Sequence, residues 1–161
     1  MKHIYLLRHG KADRPTQRGD HERDLTPRGA DDARYIGEWM SAQEMIPDQV
    51  LISDAARTQQ TYERWRLGAQ WDGPSETSER LYLASSDEIC EHISALDNAT
   101  NSVLLIGHNP GLEVTVRRLT DARVIMGTAT LACLKTDLDS WSDAMSRGAC
   151  ELWRTHTREP T

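Results

Sequence analysis

Three short apolar runs in this chain each break off into a small polar cluster. Residues 3–7 run into Arg8-His9-Gly10, residues 50–53 into Asp54-Ala55-Ala56-Arg57, and residues 102–106 into Gly107-His108-Asn109. Short β-rich apolar runs bounded by turn signals predict buried strands. Segments of helical spacing lie between them. Thr26-Pro27 predicts a helix start, with Thr as N-cap and Pro in the first turn. Ala33, Ile36, Trp39 and Met40 carry that helix's apolar face to about residue 45. A second helix is predicted over residues 55–65 and a fourth over 112–119. The third begins at Ser85-Ser86-Asp87-Glu88, whose S-x-x-E spacing is a capping box. Residues 68–78 read as turn-rich, 80–83 as a short strand, and 128–134 and 150–155 as two late strands. Strands alternating with helices predict an α/β three-layer sandwich, a mostly parallel central sheet flanked by helices. The 161 residues suffice for one domain, expected over 1–158, with a loose tail at 159–161.

Composition removes several function classes. The apolar run at the N-terminus meets Arg8 too soon for a secretory signal, and no later stretch approaches a membrane span. The three cysteines, Cys90, Cys133 and Cys150, are odd in number and far apart, so no disulfide framework or zinc knot is expected. The expected setting is the cytoplasm, with no membrane partner. A net charge of −6 opposes nonspecific nucleic-acid binding and makes a local arginine cluster more informative.

In open α/β sheets, ligands bind outside the carboxyl ends of strands, so the three polar clusters are expected to converge there. Together they hold Arg8, Arg57, His9 and His108, with no carboxylate pair or metal set among them. Two guanidinium forks match the oxygens of a phosphoryl group. A histidine kept neutral by neighbouring cations can act as an in-line nucleophile. The second histidine can donate a hydrogen bond to the transferring oxygens. Arginines can stabilise the developing charge, so neither a metal nor a cofactor is expected.

The motifs also resemble a known family. Leu7-Arg8-His9-Gly10 is similar to the R-H-G signature of the histidine phosphatase superfamily, and Leu25-Thr26-Pro27-Arg28-Gly29 to its L-T-x-x-G helix start. Residues 53–61 resemble its S-P-x-x-R-x-x-Q-T segment and Gly107-His108-Asn109-Pro110 its second-histidine motif. Asp24 and Asp54 stand where many members have proline. The short length, the G-H-N-P form and Trp141 before a final strand look most like SixA-type phosphohistidine phosphatases.

The resemblance implies a phosphoglycerate mutase-like fold and a phosphorylated substrate, expected to be a phosphohistidine-bearing protein. It implies that His9 is phosphorylated during turnover, with Arg8, Arg57 and His108 around the phosphoryl group and Arg23 as a further phosphate contact. Thr128 and Asn109 are weaker candidates for the pocket. The general acid stays unassigned between Glu79, Asp20 and none. Competing readings are a small-molecule phosphomonoesterase of the same superfamily and a phospholigand-binding module without catalysis. A mutase is disfavoured, because relatives of that kind carry extra segments around the pocket that this chain lacks.

Overall fold

The computed structural model describes residues 1–160; of the tail expected at 159–161, Thr161 lies outside the described residues. Six strands, β1 (Lys2–Arg8), β2 (Gln49–Ser53), β3 (Ser75–Ser78), β4 (Ser102–Gly107), β5 (Leu131–Thr136) and β6 (Glu151–His156), form one sheet in the order β3-β2-β4-β1-β5-β6. The pairings β3–β2, β2–β4 and β4–β1 are parallel, while β5 runs antiparallel to both β1 and β6. Only β5 therefore opposes the common direction, and the sheet is mostly parallel.

Helices cover both faces, because the strands bury alternate residues on each side. Tyr5, Leu7, Val50, Ile52, Leu104 and Ile106 pack with α1 (Pro27–Ala42) and α2 (Ala56–Ala69). Ile4, Leu6, Leu51, Val103 and Leu105 pack with α3 (Ser86–Ser94), α4 (Gly111–Thr120) and α5 (Trp141–Ala144). β4 lies at the centre of this sandwich and is buried along its whole length. The three cysteines are buried thiols.

The caps fall where the residue types predict. Thr26 accepts from the Gly29 amide and Ser85 from the Glu88 amide. Elsewhere the structure departs from the sequence reading. α1 stops at Ala42 rather than near residue 45, and α2 runs past Trp65 to Ala69, where Gln70 takes the left-handed conformation that closes it. The strand expected at 80–83 is instead a 3-10 turn, Glu79–Leu81, initiated by Ser78, which accepts from the Arg80 amide. The nearby strand is β3, inside the stretch read as turns; its Ser-Glu-Thr-Ser sequence carries no apolar face, and it pairs on the sheet's edge with β2. β5 begins at Leu131 rather than 128, since residues 127–130 turn back onto β1: the Ala129 amide bonds the His9 carbonyl at 2.9 Å.

Two motif glycines interlock to fix the loop that follows β1. A Cβ on Gly10 would lie 2.5 Å from the Gly29 carbonyl oxygen, and one on Gly29 would lie 2.1 Å from that of Lys11. The first turn of α1 thus abuts the backbone just beyond His9, with no space for a side chain.

Candidate active site

Because β2, β4 and β1 are adjacent and parallel, their carboxyl ends bring Ser53, His108 and Arg8-His9 to one place. Arg57 joins them from the first turn of α2. The α2 motif explains itself in contacts. Thr58 Oγ1 donates to the Ser53 carbonyl at 2.7 Å, and Thr61 Oγ1 accepts from the Gly10 amide at 3.0 Å. Gln60 accepts from the Leu25 amide at 2.8 Å and donates to Asp24 Oδ1 at 2.8 Å. Asp24, which replaces a proline common in the family pattern, thereby gains a partner that proline could not supply. Asp54 does likewise: its Oδ1 lies 2.9 Å from His21 Nε2.

His9 is 6% exposed, and its Nδ1 lies 2.7 Å from the Gly10 carbonyl oxygen. A carbonyl only accepts, so Nδ1 carries the proton and Nε2 keeps its lone pair. That lone pair meets Arg57 Nε at 3.3 Å. Burial pushes the ring's pKa down to about 4, with the Arg57, Arg8 and Arg23 cations adding to the effect against an opposing contribution from the Gly10 carbonyl. The cations expected from the sequence to keep His9 neutral therefore rank behind desolvation.

His108 is 3% exposed and also neutral, pushed to about 3 by burial and then by Arg57. Arg57 Nη2 donates to its Nδ1 at 3.3 Å, so its own proton sits on Nε2 and goes to Ser53 Oγ at 2.7 Å. The two imidazoles stand 5.4 Å apart between centroids.

Neutral folded-state histidines have a consequence for pH. An unfolded histidine protonates near pH 6.5, so below that the unfolded chain binds more protons than the folded one. The stability these two rings contribute is complete above pH 6.5 and is lost as pH falls toward 4 and below. Imidazole NMR signals should accordingly show no titration of His9 or His108 between pH 5 and 8. His21 should titrate above 6.5, because Asp54 and Glu22 hold its proton. A midpoint near 6.5 for His9 would contradict the geometry.

Arg57 is 2% exposed and spends its donors on four acceptors: His9, His108, the Asp20 carbonyl at 2.8 Å and Asp20 Oδ2 at 3.1 Å. Arg8 Nη1 donates to the Met126 carbonyl at 3.0 Å, while its buried Nε has no hydrogen-bond partner among the described residues. Arg23 lines the same cleft, donating to the Asp13 carbonyl at 2.6 Å and to Asp20 Oδ1 at 3.1 Å. Thr128 and Asn109 also line it, but the Asn109 amide donates to Glu113 at 3.0 Å and to the Met126 carbonyl at 2.7 Å, and so clamps a loop. Of the two acid candidates, Asp20 reaches the cleft. It is held ionised, at about pKa 2, first by the Tyr82 hydroxyl and then by Arg23 and Arg57. Glu79 is exposed on the 3-10 turn and does not line the cleft. Among the described residues no cluster of three or more His, Cys, Asp or Glu side chains is arranged to hold a metal ion.

Residues 4–82 match the model of the histidine phosphatase superfamily, branch 1. The phosphohistidine phosphatase SixA of Escherichia coli is 28% identical over 140 residues, covering 84% of this chain and 85% of that one. The chain belongs to the histidine phosphatase superfamily. An uncharacterized Mycobacterium tuberculosis relative is 35% identical over 104 residues; the match covers 65% of this chain and only 63% of that protein's length. Among solved structures, a candidate phosphohistidine phosphatase SixA from Nakamurella multipartitia superposes with a TM-score of 0.85 at 27% identity, covering 96% of this chain and 95% of the other.

The cleft that holds these residues has a volume of about 340 Å³. A larger groove of about 680 Å³ lies between α3, α4 and α5, lined by Ser85, Val114, Arg117 and Arg118 among others. It holds no histidine, so the chemistry assigns the smaller cleft as the site. Sequence reasoning missed Tyr82, whose ring stands 5.5 Å from that of His108 and whose hydroxyl donates to Asp20. It named Ser53 only as a motif letter, although Ser53 Oγ takes the His108 proton. No helix among the described residues is long and apolar enough to cross a membrane.

Proposed function

We propose that this protein is a phosphatase working through a phosphohistidine on His9, with phosphohistidine in a protein as its substrate and no metal required. The observation that carries this is the unprotonated Nε2 of a buried His9, 3.3 Å from Arg57 Nε in a cleft that also presents Arg8, Arg23 and His108. The relationship to Escherichia coli SixA supports the substrate class.

In the first step Nε2 attacks phosphorus, a P–N bond forms, and the bond to the leaving group breaks in line. The Gly10 carbonyl stabilises the positive charge that develops on the ring, because it already accepts from Nδ1–H. Arg8 and Arg57 bind the non-bridging oxygens, exchanging their internal acceptors for phosphoryl ones. A dianion beside His108 favours a proton on its Nδ1, which then donates to the same oxygens. In the second step water attacks phosphorus and releases His9 with inorganic phosphate. A leaving imidazole carries its proton beforehand, so the reaction tolerates a cleft whose one carboxylate, Asp20, is ionised.

The test measures phosphate release, with EDTA present, from a phosphohistidine protein and from p-nitrophenyl phosphate. Release from phosphohistidine is expected at the higher kcat/KM. Release from the ester alone moves the substrate to a small phosphomonoester. Phosphate binding without any release leaves a phospholigand-binding module.

A further inference from the structure

Two of the three arginines that line the cleft, Arg23 and Arg57, converge on one carboxylate. Asp20 Oδ2 accepts from Arg57 Nη2 at 3.1 Å and from the Tyr82 hydroxyl, while Oδ1 accepts from Arg23 Nη1 at 3.1 Å. The backbone carbonyl of the same residue accepts from Arg57 Nη1 at 2.8 Å. With Nε directed at His9 and the second Nη2 hydrogen at His108, Arg57 has one Nη1 hydrogen left to offer. The end-on pair of Arg57, Nη1 and Nη2, is thus committed to Asp20, and a phosphoryl group engages the whole fork only in competition with that residue.

We infer that Asp20 is a built-in counter-anion of the phosphoryl pocket, competing for Arg57 and Arg23 and thereby weakening the protein's hold on inorganic phosphate. The inference rests on the phosphatase reading and adds a positioning residue to it. An uncompensated cluster of Arg8, Arg23 and Arg57 would retain the dianionic product, and slow release would cap turnover. A tethered carboxylate lowers that affinity while keeping the guanidinium planes oriented. Tyr82 suits the role of tether: its hydroxyl donates to the carboxylate, and its ring packs edge-on against His21, 4.8 Å away on the same turn as Asp20. The Asp20 side chain is 39% exposed on a surface turn with no buried residues, so its replacement does not threaten the core.

The experiment titrates inorganic phosphate into wild type, Asp20→Asn, Asp20→Ala and Asp20→Glu by calorimetry, alongside steady-state kinetics and thermal melting. The expected result is a Kd for phosphate at least about tenfold lower in Asp20→Asn and Asp20→Ala, stronger product inhibition, and a melting temperature near wild type. Asp20→Glu, which keeps the charge, should return the Kd toward wild type. An unchanged or raised Kd in both neutral variants overturns the inference while leaving the phosphatase reading intact. Phosphate binding in none of the four proteins, together with no phosphate release from any phosphorylated substrate, overturns both.

Discussion

Replacing His9 with alanine should abolish turnover, lowering kcat by roughly 10⁴-fold or more, the scale seen when a covalent nucleophile is removed. Rapid alkaline quenching of the wild type should trap a phosphoenzyme with the alkali stability and acid lability of phosphohistidine, and the variant should yield none. No neighbour can take over. The other imidazole, His108, offers its Nδ1 lone pair to Arg57 and its proton to Ser53. The variant should still fold, since the ring contributes one hydrogen bond to Gly10 and one to Arg57 and sits outside both hydrophobic clusters. It should also still bind phosphate through the arginines. Turnover at the wild-type rate in a folded His9→Ala protein would end the covalent mechanism.

Arg57→Ala should reduce kcat/KM by about 10²–10³-fold, close to what one preorganised charge-stabilising donor contributes. The effect is large because a single guanidinium does three jobs. It faces the lone pair of His9, orients His108, and ties the Asp20 turn to the strand ends. Arg57→Lys should recover little, although it keeps the charge. An ammonium on a flexible stem cannot reproduce a planar fork reaching three residues at once. Steady-state kinetics on both variants, with melting curves to confirm folding, decide the matter. If lysine restored most of the activity, charge alone would explain Arg57; an unchanged kcat/KM in the alanine variant would remove it from the mechanism.

Wherever one residue type has one physical job, the sequence declared it. Apolar runs ended by polar clusters located β1, β2 and β4, and the rule that parallel strands gather ligands at their carboxyl ends placed Arg8, His9, Arg57 and His108 together. The structure brings these four to one cleft. What stayed hidden depends on pairings across long stretches of chain. Tyr82 meets Asp20 across 62 positions, and no local pattern marks a tyrosine on a 3-10 turn as a partner for a distant carboxylate. β3 was invisible for a different reason: an edge strand of Ser-Glu-Thr-Ser is held by backbone pairing to β2 and buries little of itself. The neutrality of His9 was legible as a direction but not in its leading cause, since burial is a property of the assembled layers.

The loop between β1 and α1 closes on itself at the base, where Ala12 bridges Leu25 and the Asp13 amide bonds the Asp24 carbonyl at 2.8 Å. Asp20 and Arg23, which it lends the cleft, lie inside that closure, whereas His9, Arg57 and His108 belong to the strand ends and the helix behind them. The architecture thus separates a tool from its handle. Evolution, or a protein engineer, can swap the cassette within residues 13–24 and change which molecules are admitted and how fast products leave. The His9 ring is anchored outside the cassette, by its bond to the Gly10 carbonyl and by the glycine interlock beneath it, and the cassette reaches that ring through Arg57.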